Sequence, residues 1–80
     1  MKQVEGPLAE GARVVMLEDV ITTGGSTLKA IEALQREKQA EVVKVIAMVD
    51  RLQGARQNLA EAGYRFEAVF TIEELGVITP

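Results

Sequence analysis

"VVMLEDVITTGGST", residues 14–27, decides how the whole chain is read. Its first half is a continuous run of apolar, partly β-branched residues, the pattern of a strand covered on both faces. Two acids, Glu18 and Asp19, interrupt it at what reads as the strand's tip. Then come Thr22, Thr23, Gly24, Gly25 and Ser26, and after them Leu28, Ile31 and Leu34 recur at helical spacing. A hydroxyl-rich glycine turn that opens a helix is an anion site, because the curled backbone aims several N–H groups at one point and the helix dipole favours negative charge there. A Gly-Gly turn alone is often only a turn, and a Ser or Thr before a helix only a cap. The adjacent acids shift that balance, since buried carboxylates are costly unless used. They would repel a bare phosphate, but they can accept hydrogen bonds from a pair of vicinal hydroxyls. Acids first and phosphate cradle second describe a ribose 5-phosphate laid along the loop. The stretch is not a P-loop, which needs a Lys that is absent here, and it lacks the Gly-x-Gly-x-x-Gly of dinucleotide sites.

Outward from this stretch, the spacing predicts a helix over 26–38, with Glu32 and Arg36 in the favourable order for an ion pair. Lys38 and Gln39 stand where a helix-ending glycine is expected. "EVVKVIAMVD", residues 41–50, reads as a second strand and is followed by Arg51. Residues 52–63 read as a second helix with Ala55, Leu59 and Ala62 inward and Gly63 as its stop. "YRFEAVFTI", residues 64–72, is a third strand, and Thr71 and Glu74 have capping-box spacing before Leu75. Residues 1–12 read as a loop with at most a short extended piece. The predicted order is β-α-β-α-β, an α/β unit with a three-stranded parallel sheet and right-handed crossovers. Ligands of such sheets sit at the carboxyl ends of the strands, which brings residues 18–26 and the Asp50-Arg51 pair to one rim. A sequential strand order would put both helices on one face, leaving the other face bare and the first strand's edge open.

The chain has 80 residues, 48 % apolar and 26 % charged, with a net charge of −3. That is one small domain at most, or part of one, burying only about 60–65 % of its unfolded surface. No basic footprint points to nucleic acid. With neither cysteine nor histidine, disulfides, thiolate chemistry and the usual zinc sites are excluded. No apolar run approaches the roughly 20 residues of a membrane span, and no signal peptide opens the chain, so a cytoplasmic location is expected.

The motif resembles the phosphoribosyl-pyrophosphate (PRPP) binding motif of type I phosphoribosyltransferases: apolar strand, two acids, two apolar residues, then a Thr/Gly/Ser loop. With "VEGPLAEG", "MVDRLQGARQNLAEAG" and "FTIEEL", the resemblance extends over essentially all 80 residues to the orotate phosphoribosyltransferases, including the matching domain of UMP synthases. It implies that the chain, 1–80, is the C-terminal part of such a core. It also implies transfer of the phosphoribosyl group from PRPP to orotate with Mg²⁺ bound with PRPP, giving orotidine 5-phosphate and pyrophosphate in de novo pyrimidine synthesis. By the same resemblance, PRPP would be held by Glu18, Asp19, Val20, Ile21, Thr22, Thr23, Gly24, Gly25 and Ser26. Asp19 would be the catalytic residue, Glu18 and Asp19 would take the ribose hydroxyls, and Thr22 and Arg51 would lie at orotate. Arg suits that last role because its planar fork matches a carboxylate. No protein metal ligand is expected, and a homodimer is. The family's upstream strands, pyrophosphate loop and mobile basic loop are not visible, so the 80 residues alone are expected to lack transferase activity, and the bare apolar face and open edge are expected to make them self-associate. Gly54-Ala55-Arg56 departs from the family's usual pair of glycines before the basic residue. Other readings are a transferase for another base, a PRPP-binding regulator and an inactive assembly module.

Overall fold

The computed structural model describes residues 2–5 and 11–76. The elements run β1 (Lys2–Glu5), β2 (Arg13–Ile21), α1 (Gly25–Lys38), β3 (Glu41–Asp50), α2 (Ala55–Glu61), β4 (Phe66–Thr71) and α3 (Ile72–Gly76). One sheet has the spatial order β1-β2-β3-β4, with β2, β3 and β4 parallel to one another and β1 antiparallel to β2. The expected β-α-β-α-β unit of three parallel strands is therefore present. The correction concerns residues 1–12: within the segment read as a loop, Lys2–Glu5 forms a fourth strand and covers the edge of β2 that was expected to be open. "KQVE" has a single apolar residue and no alternation, so nothing local marks it as a strand; the unpaired backbone groups along the edge of β2 recruit it.

Local chemistry sets the other boundaries. Helix α1 starts at Gly25 and carries the Glu32–Arg36 pair at 3.8 Å. It ends on Gln39, which takes the left-handed conformation, φ 53°, that a glycine usually supplies. Helix α2 is shorter than expected: residues 52–54 form a turn, the helix stops at Glu61, and Ala62 is an exposed cap residue instead of an inward one. The capping box before α3 is complete. The Thr71 N–H donates to Glu74 Oε1 at 2.8 Å, and the Glu74 N–H donates to Thr71 Oγ1 at 3.3 Å.

Both longer helices feed one core. Ile31 of α1 and Leu59 of α2 join Val14 and Met16 of β2 and Val45 and Ala47 of β3 in a single buried cluster. Full burial of a side chain such as Met16, Ile31 or Leu59 stabilises the fold by about 1.5–3 kcal/mol each. Strands with sequential order and helices on one face leave the opposite face uncovered among the described residues. There Val15, Leu17 and Ile46 are half-buried, while Met48 and Val69 are each 53 % exposed. Lys44 Nζ meets Glu67 Oε1 at 2.8 Å on this same face, and that bond holds the Glu67 carboxyl below its ordinary value.

Candidate functional site

The carboxyl ends of the three parallel strands are level, with Ile21 opposite Asp50 and Asp50 opposite Thr71. The corners that leave these strands therefore lie along one rim. The β2–α1 corner is Thr22, Thr23 and Gly24. Gly24 sits at φ 84° and ψ 2°, where an L side chain is strained. A Cβ there would lie 3.6 Å from Ala55 and Leu59, so the corner rests directly on α2. The Gly25 N–H donates to Thr23 Oγ1 at 3.3 Å, and the Leu28 N–H donates to the Gly24 carbonyl at 2.9 Å to begin the helical ladder. Thr22, Thr23, Gly25 and Ser26 are exposed. The cap residue Gly24 offers no side-chain bond, and the first turn of α1 carries no acid. Its N-terminal amides and the positive end of its dipole therefore face the rim, the arrangement that receives a phosphate.

The acid pair lies two residues inside β2 and not at its tip as the sequence suggested. Val20 and Ile21 continue the ladder opposite Val49 and Asp50. Alternation along a strand then separates the two carboxylates. Glu18 is 7 % exposed on the helix side, where the Thr27 hydroxyl of α1 donates to its Oε2. Asp19 is exposed. Both acids line a cleft of about 210 Å³ with Leu17, Ile46, Met48 and Val69. Val20 is exposed, whereas Ile21 has its side chain in the core and reaches the rim through its carbonyl.

That carbonyl accepts the Arg51 N–H at 3.0 Å, which ties the β3–α2 corner to the end of β2. Asp50, 1 % exposed, accepts the Leu52 N–H on Oδ1 at 2.9 Å and fixes the turn, with Leu52 at φ 60°. Arg51 is exposed and directly follows Asp50, as the exposed Thr22 directly follows Ile21 on the neighbouring strand. A second cleft, about 340 Å³, is lined by Asp50, Leu52, Gly54, Arg56, Gln57 and Ala60; it touches neither Arg51 nor the threonine-glycine loop. Arg56 stacks on Phe66, 5.2 Å from the ring centre.

A family model described as "Phosphoribosyl transferase domain" matches residues 2–75. The chain belongs to that family. An orotate phosphoribosyltransferase of Rhodopirellula baltica is 46 % identical over 76 residues, which cover 95 % of this chain and 39 % of that protein. An orotate phosphoribosyltransferase of Nostoc sp. is 52 % identical over 73 residues, covering 90 % of this chain and 35 % of that one. Among solved structures, the Mycobacterium tuberculosis orotate phosphoribosyltransferase in complex with PRPP is similar, with a TM-score of 0.79 and 40 % identity over 90 % of this chain and 44 % of the other. The chain spans about two fifths of the length of the curated relatives it matches.

In this phosphoribosyl transferase domain, then, the Thr22–Gly24 corner and Arg51 share a rim, as the strand order required, with Glu18 and Asp19 set back inside β2. Two further residues belong to the same corner and escaped sequence reasoning. Thr27 reads as an ordinary first-turn residue but engages Glu18, and Asn58 reads as a solvated helix position but reaches Thr23. The only sequence signal for the first was a hydroxyl nine positions after an acid, and for the second there was none. Among the described residues, no three His, Cys, Asp or Glu side chains converge on a point that could hold a metal ion.

Proposed function

We propose that the chain is the part of an orotate phosphoribosyltransferase that holds the sugar phosphate of PRPP and the carboxylate of orotate. The observation that carries this reading is the Thr22–Ser26 corner at the uncapped start of α1, one backbone hydrogen bond from Arg51 across β2 and β3. The PRPP complex of the Mycobacterium tuberculosis relative supports it. In this reading Thr22, Thr23, Gly24, Gly25 and Ser26 receive the 5-phosphate, and Asp19, which is exposed, and Glu18, which Thr27 holds on the helix side, address the ribose hydroxyls. Val20 and Ile21 contribute backbone, and Arg51 with Thr22 takes orotate. The chemistry proceeds through an oxocarbenium-like ribose, for which placement and charge supply most of the acceleration. Asp19 is the exposed member of the acid pair and so the residue assigned to the charge of that sugar. Mg²⁺ would be supplied together with PRPP, and no residue of this chain is assigned to hold it. A cytoplasmic location accompanies the function; among the described residues no helix is long and apolar enough to cross a membrane. A homodimer also belongs to the reading, with the uncovered sheet face as the surface to bury, and sedimentation at micromolar concentration checks it.

Calorimetric titration with PRPP tests the main assignment. Asp19→Ala with Thr23→Ala should abolish the heat of binding seen for the parent, and equal affinities would remove the site. In the PRPP-loaded chain, Arg51→Ala should weaken orotate by about tenfold or more, the loss of a charge-assisted pair worth about 1.5–3 kcal/mol. A change in PRPP affinity alone would take the base-binding role away from Arg51.

A further inference from the structure

One polar contact at the candidate site joins segments far apart along the chain. Asn58 Nδ2 of α2 donates to the Thr23 carbonyl, 35 residues earlier, at 2.8 Å. The backbone of Asn58 is itself held at both ends. Its N–H donates to the Gly54 carbonyl at 2.9 Å, and its carbonyl accepts the Ala62 N–H at 3.1 Å. The donor is therefore mounted on a rigid helix whose Ala55 and Leu59 abut Gly24. A Cβ at Gly54 would meet Asn58 Nδ2 only at an ordinary contact distance, 3.6 Å, so the glycine there serves the turn, at φ 104°, and leaves the amide's reach to Thr23 unaffected.

The peptide joining Thr23 to Gly24 is planar and trans, so its C=O and N–H point in opposite directions. A carbonyl drawn to α2 turns the Gly24 N–H away from α2. A peptide that precedes a glycine rotates more readily than others, because glycine tolerates either sign of φ. Gly24, at φ 84°, is such a residue. Packing against α2 fixes where the corner lies, and the bond from Asn58 bears on which way this peptide faces.

We propose that Asn58 is a positioning residue, which locks the Thr23–Gly24 peptide in the orientation that presents the loop's amides to an anion. The inference rests on the reading of residues 22–26 as the phosphate-holding loop. It makes α2, the helix that follows Arg51, a partner in forming the sugar-phosphate subsite. The Thr23–Asn58 bond is exposed, so water can replace the amide at the Thr23 carbonyl. Losing Asn58 therefore changes the loop's geometry far more than the fold's stability.

The test uses the ¹⁵N-labelled chain, with Asn58→Ala compared with the parent and with Gln57→Ala. Gln57 is the neighbouring α2 residue and bonds Glu61 at 3.0 Å instead of the loop. Three quantities are read: amide exchange at Gly24, Gly25 and Ser26, affinity for ribose 5-phosphate by chemical-shift titration, and the urea midpoint. Asn58→Ala should speed loop exchange and weaken ribose 5-phosphate by about tenfold each, the size of one lost hydrogen bond. Its urea midpoint should stay with that of Gln57→Ala, and Gln57→Ala should leave loop and affinity as in the parent. Parent-like exchange and affinity in Asn58→Ala would overturn the proposal. So would losses that merely follow a lowered urea midpoint, since that is a structural role. If the parent itself does not bind ribose 5-phosphate, the phosphate reading falls, and the exchange measurement alone decides whether Asn58 sets the loop.

Discussion

The β2–α1 and β3–α2 corners make the same turn, from the end of a parallel strand into a helix on the same face, with different materials. The first spans Thr22–Gly24, with one left-handed residue, a glycine, pressed against the neighbouring helix. The second spans Arg51–Gly54 and has two left-handed residues, Leu52 and Gly54. It is fixed from below by its own strand, through the buried carboxylate of Asp50. The first corner is held from outside, by α2, and keeps its backbone amides and hydroxyls toward solvent. The second folds its backbone onto Asp50 and presents a long charged side chain, Arg51, instead. One corner offers main chain to solvent, the other a side chain. Each is stiffened where it is not needed for contact.

That contrast can be broken by substitution, with urea unfolding as the measurement. Asp50→Ala should have the largest effect, a loss of about 1–3 kcal/mol, because it leaves the Leu52 N–H without its buried acceptor. Thr23→Ala, which removes the exposed bond to the Gly25 N–H, should cost at most about 0.5 kcal/mol. Equal costs would mean that the two corners are held alike. Next comes Gly24→Ala, with an expected loss of about 1–2 kcal/mol from the left-handed backbone alone, since the added Cβ finds ordinary contact distances. Gly25→Ala should go the other way and stabilise by about 0.5–1 kcal/mol, as Gly25 is already helical.

Smaller still, Leu52→Gly and Gln39→Gly should each stabilise by about 0.5 kcal/mol, the relief of a left-handed side-chain-bearing residue less the added freedom of the unfolded chain. A destabilising Leu52→Gly would show that the side chain, not the turn, holds the second corner. The smallest effect should come from the sheet face remote from both corners. The Glu67 carboxyl is lowered in the folded state by its bond to Lys44, so its stabilisation is present above the ordinary carboxylate range and is lost as pH falls through the folded-state value. Lys44→Ala should flatten that part of the pH–stability curve, while the difference between Asp50→Ala and Thr23→Ala stays as it was.

Wherever a segment's own side chains settle its structure, the sequence was enough. β3 runs Glu41–Asp50 as its apolar run indicates, and Thr71 and Glu74 form the box that their spacing implies. Where a neighbour decides, it was not. β1 exists because β2 has an edge to offer, and β2 runs two residues past its acids because β3 lies beside it. Apolar runs also overstated coverage: Leu17, Ile46, Met48 and Val69 look like residues buried on both sides, yet both longer helices pack on the opposite face. The rim was legible from strand order alone. The opposed facing of Glu18 and Asp19, and the reach of Asn58, depend on where strands end and helices pack, which no local spacing encodes.

The strand order has a consequence for how the chain finds its structure. Every ladder in the sheet joins strands that are neighbours along the chain, so no pairing must wait for an intervening strand to be inserted. Closure entropy is lost in small, successive steps, each followed at once by backbone pairing and the docking of a helix. Sheets of similar size whose strand order doubles back must bring distant segments together before any such gain. By that measure this chain has a low relative contact order for a mainly parallel sheet. It should fold faster than doubly wound domains of its length, with β2, α1 and β3 as the earliest unit to hold together.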